Sequence, residues 1–127
     1  MIRQQQWART AFGKVLARRG APGGKAAEKA YASECRGGPA LIRQSGLLQA
    51  VAFLRSRGRA ESQDYANDLA VVLGFENSQI LQGTLQTANT SEYRRWSRDA
   101  TAVAIWLRRF AQSELDQDDA PVTHAAR

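Results

Sequence analysis

Apolar positions along this chain recur at helical spacing, three and four residues apart, and no segment of length alternates as a strand would. The densest stretch is Pro39 to Gly58, PALIRQSGLLQAVAFLRSRG. At about 100° per residue, Leu41, Leu48 and Ala52 lie on one side of a helix, and Leu47, Val51 and Leu54 on a second. Ile42 and Phe53 take a third side. A helix apolar on three sides must be wrapped by other helices, so the pattern predicts a buried central helix. Its polar members, Arg43, Gln44 and Gln49, then need partners or must reach solvent along their stems.

Around this segment the pattern predicts five further helical stretches. The first covers about Ile2 to Arg19 and stops before Gly20-Ala-Pro-Gly-Gly. The second, about Lys25 to Arg36, is rich in alanine and ends at Gly37-Gly38, with Pro39 placed at the first turn of the central helix. The fourth starts after Ser62 as N-cap and ends at Gly74. A short fifth spans roughly Ser78 to Thr87 despite Gly83, and a sixth runs from Ser91, its expected cap, to about Leu115. DQDDAPVTHAAR is polar and reads as a flexible acidic tail. The expected architecture is all-α: one compact bundle of about five to six helices around a buried central helix, with residues 1–115 as the domain and 116–127 as the tail.

Composition adds little to this, but charge adds a good deal. The chain has 127 residues, 43% of them hydrophobic, and a net charge of +6. Residues 1–60 hold twelve basic side chains against Glu28 and Glu34, whereas residues 61–90 hold only Glu61, Asp64, Asp68 and Glu76 as charges. From Ser91 to Leu115, five arginines face three acids. Basic flanks around an acidic middle suit a polyanion on one face and a protein neighbour on another; a basic protein with no anionic partner is the plainer alternative. No apolar run is long enough to span a bilayer, and Gln4, Gln5, Gln6 and Arg9 break up any secretory signal. A single cysteine, Cys35, excludes an internal disulfide and suits the cytoplasm, where it reads as a packed helix residue.

Catalytic chemistry finds little footing. The one histidine, His124, is in the tail, and one Cys with one His makes no metal set. Gly23-Gly24-Lys25 fails as a phosphate loop, because Arg19 stands where glycine is needed and Ala26 where Ser or Thr is needed. Asp116, Asp118 and Asp119 lack the glycine and distal glutamate of a calcium loop. Asp64 and Asp68 share one helix face at i, i+4 with no apolar pocket evident to raise a pKa. The expectation is no enzyme, no cofactor, no metal and no small-molecule substrate.

Binding chemistry is better represented. On the sixth helix, Trp96, Ala100, Val103, Leu107 and Phe110 form a core stripe, and Arg94, Arg98, Arg108 and Arg109 lie across from it. Such arginines either hold phosphates or form a solvated face paired with Glu92 and Asp99. On the first helix, Ala8, Ala11, Phe12, Val15 and Leu16 face the core, with Arg3, Trp7, Lys14 and Arg18 opposite. Trp7 can stack on a base or a partner, or can pack against the central helix. Trp106, off the core stripe beside Arg95 and Ala102, suits a protein contact. Lys25, Lys29 and Arg36 make a basic edge, as readily solvated as bound.

Two segments, LIRQSGLLQAVAFLRSRG (Leu41–Gly58) and SEYRRWSRDATAVAIWLRRFAQSEL (Ser91–Leu115), with YANDLAVVLGF (Tyr65–Phe75) between them, resemble the small-subunit family of type III-B CRISPR (Cmr) effector complexes. The resemblance spans roughly Trp7 to Leu115 and rests on structural signatures, not catalytic ones. It implies an all-helical, non-catalytic subunit that stacks in several copies beside the backbone subunits and offers a basic groove to target RNA paired with guide RNA. RNA cleavage then belongs to the backbone subunit, and cyclase and DNase activities to the large subunit, both partners of this chain. Carried over by position, the RNA-contacting candidates are Lys14, Arg18, Arg43, Arg55, Arg94 and Arg98. Binding through phosphates would be indifferent to sequence, as a guide-programmed complex requires. The charge map adds Glu61, Asp64 and Asp68 as expected protein-interface residues, one copy's acids meeting the next copy's arginines, and Trp7 and Trp106 join them as aromatics off the core stripe. Two competing readings are a DNA-binding helical regulator, for which the central helix is too apolar, and a scaffold that binds protein alone.

Overall fold

The computed structural model describes residues 2–115, so the expected tail, with His124, Asp116, Asp118 and Asp119, lies outside the described residues. Six helices follow one another: α1 (Arg3–Leu16), α2 (Gly24–Ser45), α3 (Leu47–Ser56), α4 (Ala60–Leu73), α5 (Ser78–Thr87) and α6 (Thr90–Glu114). Among the described residues there is no strand, and the all-α expectation holds.

The break between α2 and α3 is displaced from where the sequence puts it. Gly37, Gly38 and Pro39 do not end a helix; α2 passes through all three. Gly38 is there for contact: a Cβ at this position would overlap the hydroxyl of Tyr65 and lie 2.7 Å from its Cζ. Tyr65 is fully buried on α4, and its ring meets Tyr31 of α2 edge-on at 6.2 Å. Tyr65 thus packs on α2 one residue before Pro39, a proline that the helix passes through. The chain turns instead at Gly46, whose φ of 83° and ψ of 156° suit glycine almost alone. Its N–H closes α2 on the Ile42 carbonyl at 2.8 Å, and its carbonyl opens α3 to the Ala50 N–H at 2.9 Å.

The predicted central helix is therefore two helices, and the bend explains its apolar circumference. Ile42 is buried on one segment, Leu47, Ala50, Val51 and Leu54 on the other, and Phe53 stands 47% exposed. The true centre is α4, which packs against all five other helices. It buries Ser62, Tyr65, Ala66, Asp68, Leu69, Ala70, Val72 and Leu73. Ser62 is not its cap. The helix begins two residues earlier, and the buried Ser62 hydroxyl donates to Glu34 at 2.8 Å. Glu34 also accepts from Arg57 at 2.9 and 3.2 Å, tying α2 to the α3–α4 turn.

Two starts are set by asparagine. Asn77 accepts from the Ile80 N–H at 2.9 Å and opens α5, whose bounds are those expected. Asn89, not Ser91, opens α6: its side chain accepts from the Glu92 N–H at 2.8 Å while Glu92 accepts from the Asn89 N–H at 3.1 Å. The core stripe of α6 is close to the expected one, with Ala100, Val103, Ala104, Leu107 and Ala111 buried and Trp96 and Phe110 packed beside them. Phe12 is the exception on α1. It is 37% exposed and meets Phe110 edge-on at 5.1 Å.

Candidate nucleic-acid interface

The RNA-contacting candidates fall into three unlike environments. Arg94 and Arg98 stand exposed one turn apart on α6, and among the described residues neither meets a carboxylate. Arg43 is exposed in the last turn of α2. It joins them at one end of the molecule, because the Leu48 N–H donates to the Tyr93 hydroxyl at 3.0 Å and so fixes the start of α6 against the α2–α3 turn. Three guanidinium groups at one end, exposed to water, suit phosphate oxygens.

Lys14 lies elsewhere. Arg3 bonds Asp99, Phe12 meets Phe110, and Arg19 pairs with Glu114 at 3.3 Å, so α1 runs alongside α6 in the same direction. Lys14, in the last turn of α1, is thus beside the C-terminal end of α6, roughly 25 Å along the axis from Arg94 at 1.5 Å per residue. Arg55 stands in a third place, the last turn of α3, donating to Gln82 of α5 at 2.6 Å.

Arg18 is committed to the fold. Its guanidinium reaches both Asp68 oxygens at 3.0 and 3.2 Å and Asp64 at 3.3 Å, and lies 5.0 Å from the Tyr31 ring centre. Burial works against its charge, but the attraction of Asp68 and Asp64 outweighs burial and holds its pKa above the ordinary arginine value. Asp68 is only 3% exposed and also accepts from the Tyr31 hydroxyl at 2.6 Å. The expectation that Asp68 stands at an interface is thereby corrected. A carboxylate on the acidic helix faces inward because an arginine from the end of α1 and a phenol from α2 meet it there. Asp64 is half-exposed and shares Arg18, while Glu61, also half-exposed, meets no cation among the described residues.

Both off-stripe tryptophans join α1 to α6. Trp106 donates its indole N–H to Gln4 at 2.8 Å and stacks on Phe110 at 5.5 Å. Trp7, half-buried against the core, lies under Arg3 at 4.8 Å and lines a cleft with Arg95, Trp96 and Asp99. Sequence reasoning missed this cleft, and also a polar cavity around Arg55. The cavity's walls come from α3, α4 and α5, which no local pattern brings together.

No three His, Cys, Asp or Glu side chains gather in a metal-binding group among the described residues. No described helix is long and apolar enough to cross a membrane. What the fold and this surface define is a small basic helical module that presents arginines on its exterior. The CRISPR-associated protein (Cas_Cmr5) family model matches residues 3–114. The CRISPR system Cmr subunit Cmr5 of Thermus thermophilus is 38% identical over 115 residues, covering 91% of this chain and 97% of that protein. The X-ray crystal structure of a CRISPR-associated Cmr5 family protein from the same species superposes with a TM-score of 0.82 at 35% identity, covering 89% of this chain and 97% of the other. The chain belongs to the Cmr5 family, the small subunit of Cmr CRISPR complexes.

Proposed function

We propose that this chain acts as a non-catalytic small subunit of a type III-B RNA-guided RNA-targeting complex in the cytoplasm. It stacks in several copies beside the backbone subunits, near the large subunit, and contacts the duplex of target and guide RNA through basic helix faces. The observation that carries this reading is the exposed group of Arg43, Arg94 and Arg98, whose charges meet no carboxylate among the described residues. Phosphate contacts of this kind position a strand without reading its bases, and pairing with the guide supplies the sequence. Lys14 and Arg55 add contacts at other points of the surface. Arg18 supports the scaffold, and Asp68 belongs to the interior. For stacking, Glu61 and the open side of Asp64 are the acids available to a neighbour's arginines, and Trp7 and Trp106 are the aromatic contacts.

The test is the affinity of the whole chain for single-stranded RNA, guide–target duplex and duplex DNA over a range of salt. The expected result is RNA binding that weakens steeply as salt rises and changes little with sequence. Tighter binding to one particular DNA duplex than to any RNA would overturn the reading in favour of a regulator. Failure to bind RNA at any salt concentration would leave a purely protein-binding scaffold.

A further inference from the structure

Between the end of α3, the middle of α4 and the start of α5 lies a cavity of about 320 Å³, lined by Arg55, Gln63, Asn67, Asn77, Ser78 and Gln79. Among the described residues its wall contains no carboxylate and is almost wholly amide, apart from one guanidinium and one serine. Amides are ordinarily ambivalent, offering an oxygen or an NH2 group as the partner demands. Here two of them are fixed. The Asn67 Oδ1 accepts from the Ser78 N–H at 2.9 Å, and the Asn77 Oδ1 accepts from the Ile80 N–H at 2.9 Å. A backbone N–H can only be met by an acceptor, so each amide turns its oxygen to the backbone and keeps its NH2 group as a donor. Arg55 spends Nη1 on the Gln82 oxygen at 2.6 Å and keeps its other nitrogens, all of them donors. Gln63 and Gln79 are exposed and free to turn their NH2 groups inward.

The result is a recess in which the fixed amides and the guanidinium can all donate and, among the described lining residues, the one full charge is positive. A cation would meet repulsion there, and an apolar group would strand the donors. An oxyanion is the ligand such donors suit, and of the first-turn N–H groups of α5 the Gln79 N–H is left on the same side, since those of Ser78 and Ile80 are already met by Asn67 and Asn77. We propose that this cavity binds a phosphate oxyanion, which in the assembled complex is a backbone phosphate of the RNA strand. The second half of this statement rests on the RNA-binding reading above. The first half does not.

The experiment follows the side-chain amide resonances of Asn67 and Asn77 in the full chain by two-dimensional NMR. One arm titrates inorganic phosphate, and the other a single-stranded RNA with a 5′-hydroxyl, so that only internal phosphates are present. Gln63→Glu and Gln79→Glu, each at an exposed position, place a carboxylate in the wall. Phosphate is expected to shift both amide pairs, and each variant to weaken that binding about tenfold by charge repulsion. The RNA should shift the same resonances. Phosphate that leaves Asn67 and Asn77 unmoved, or binds both variants as tightly as the parent, overturns the site. Phosphate that binds here while RNA binds without shifting these amides overturns the RNA assignment and leaves a site for free phosphate. RNA that fails to bind at all, with phosphate still bound, overturns the RNA-binding reading but not the cavity.

Discussion

Arg18 and Arg94 are the same residue type in segments of similar polarity pattern, yet they serve opposite ends. Arg18 is gathered inward by Asp64, Asp68 and the face of Tyr31, and joins the end of α1 to α2 and α4. Arg94, with Arg98 one turn on, meets no carboxylate among the described residues and stays in water. A guanidinium held by a buried carboxylate is not free for a phosphate, since releasing it would strand the acid. Net charge therefore overstates how much of a basic surface can bind RNA. What counts is the number of cations without an internal partner.

The largest test of this contrast is Arg18→Ala, which leaves the Asp68 carboxylate buried without its counter-ion. It should lower stability by about 3–5 kcal/mol, read as a loss of midpoint in urea unfolding. A change as small as that of a surface substitution would mean that Arg18 is replaceable and open to ligand after all.

A smaller effect should appear at alkaline pH, through the phenols that share this interior. Burial, before any charge effect, pushes the Tyr31 pKa well above its ordinary value, and burial does the same for Tyr65. Both phenols stay protonated in the fold at a pH where the unfolded chain has begun to ionise. The folded state then binds more protons, so stability is intact below pH ~10 and falls as pH climbs beyond it. Unfolding curves at a series of pH values should show this decline, and Tyr65→Phe should flatten it.

The least effect on stability belongs to the open face. Arg94→Gln with Arg98→Gln should change stability by no more than about 0.5 kcal/mol, as surface substitutions do. The same pair should reduce the slope of log affinity against log salt for single-stranded RNA by about 1.4, two phosphate contacts at roughly 0.7 each. An unaltered slope would place the RNA elsewhere on the molecule.

Much of the fold is legible in the chain. Helical period, the Gly20–Gly24 break, the bounds of α5 and the α6 core stripe all follow from local spacing and turn chemistry. The Gly37-Gly38-Pro39 segment misleads for an instructive reason. Glycine and proline end helices by default, and only the Tyr65 hydroxyl seated against Gly38 shows that this glycine is placed for contact. The α6 cap is present in the sequence as Asn89 with Glu92 three residues on, a readable pattern that competes with Ser91. For the surface, the basic residues and their helices can be named from the chain, but not which of them are already paired.

That division has a physical basis. Period, capping and charge are properties of neighbouring residues, so the chain alone determined that this protein is helical, basic and built on a family pattern matched from end to end of its described core. Which carboxylate reaches which arginine depends on side chains dozens of residues apart meeting at the few ångströms where Coulomb attraction exceeds the cost of leaving water. Only the tertiary structure decides that. It sent Asp68 inward to Arg18, left Arg94 and Arg98 to solvent, and enclosed Arg55 among amides that no local pattern connects.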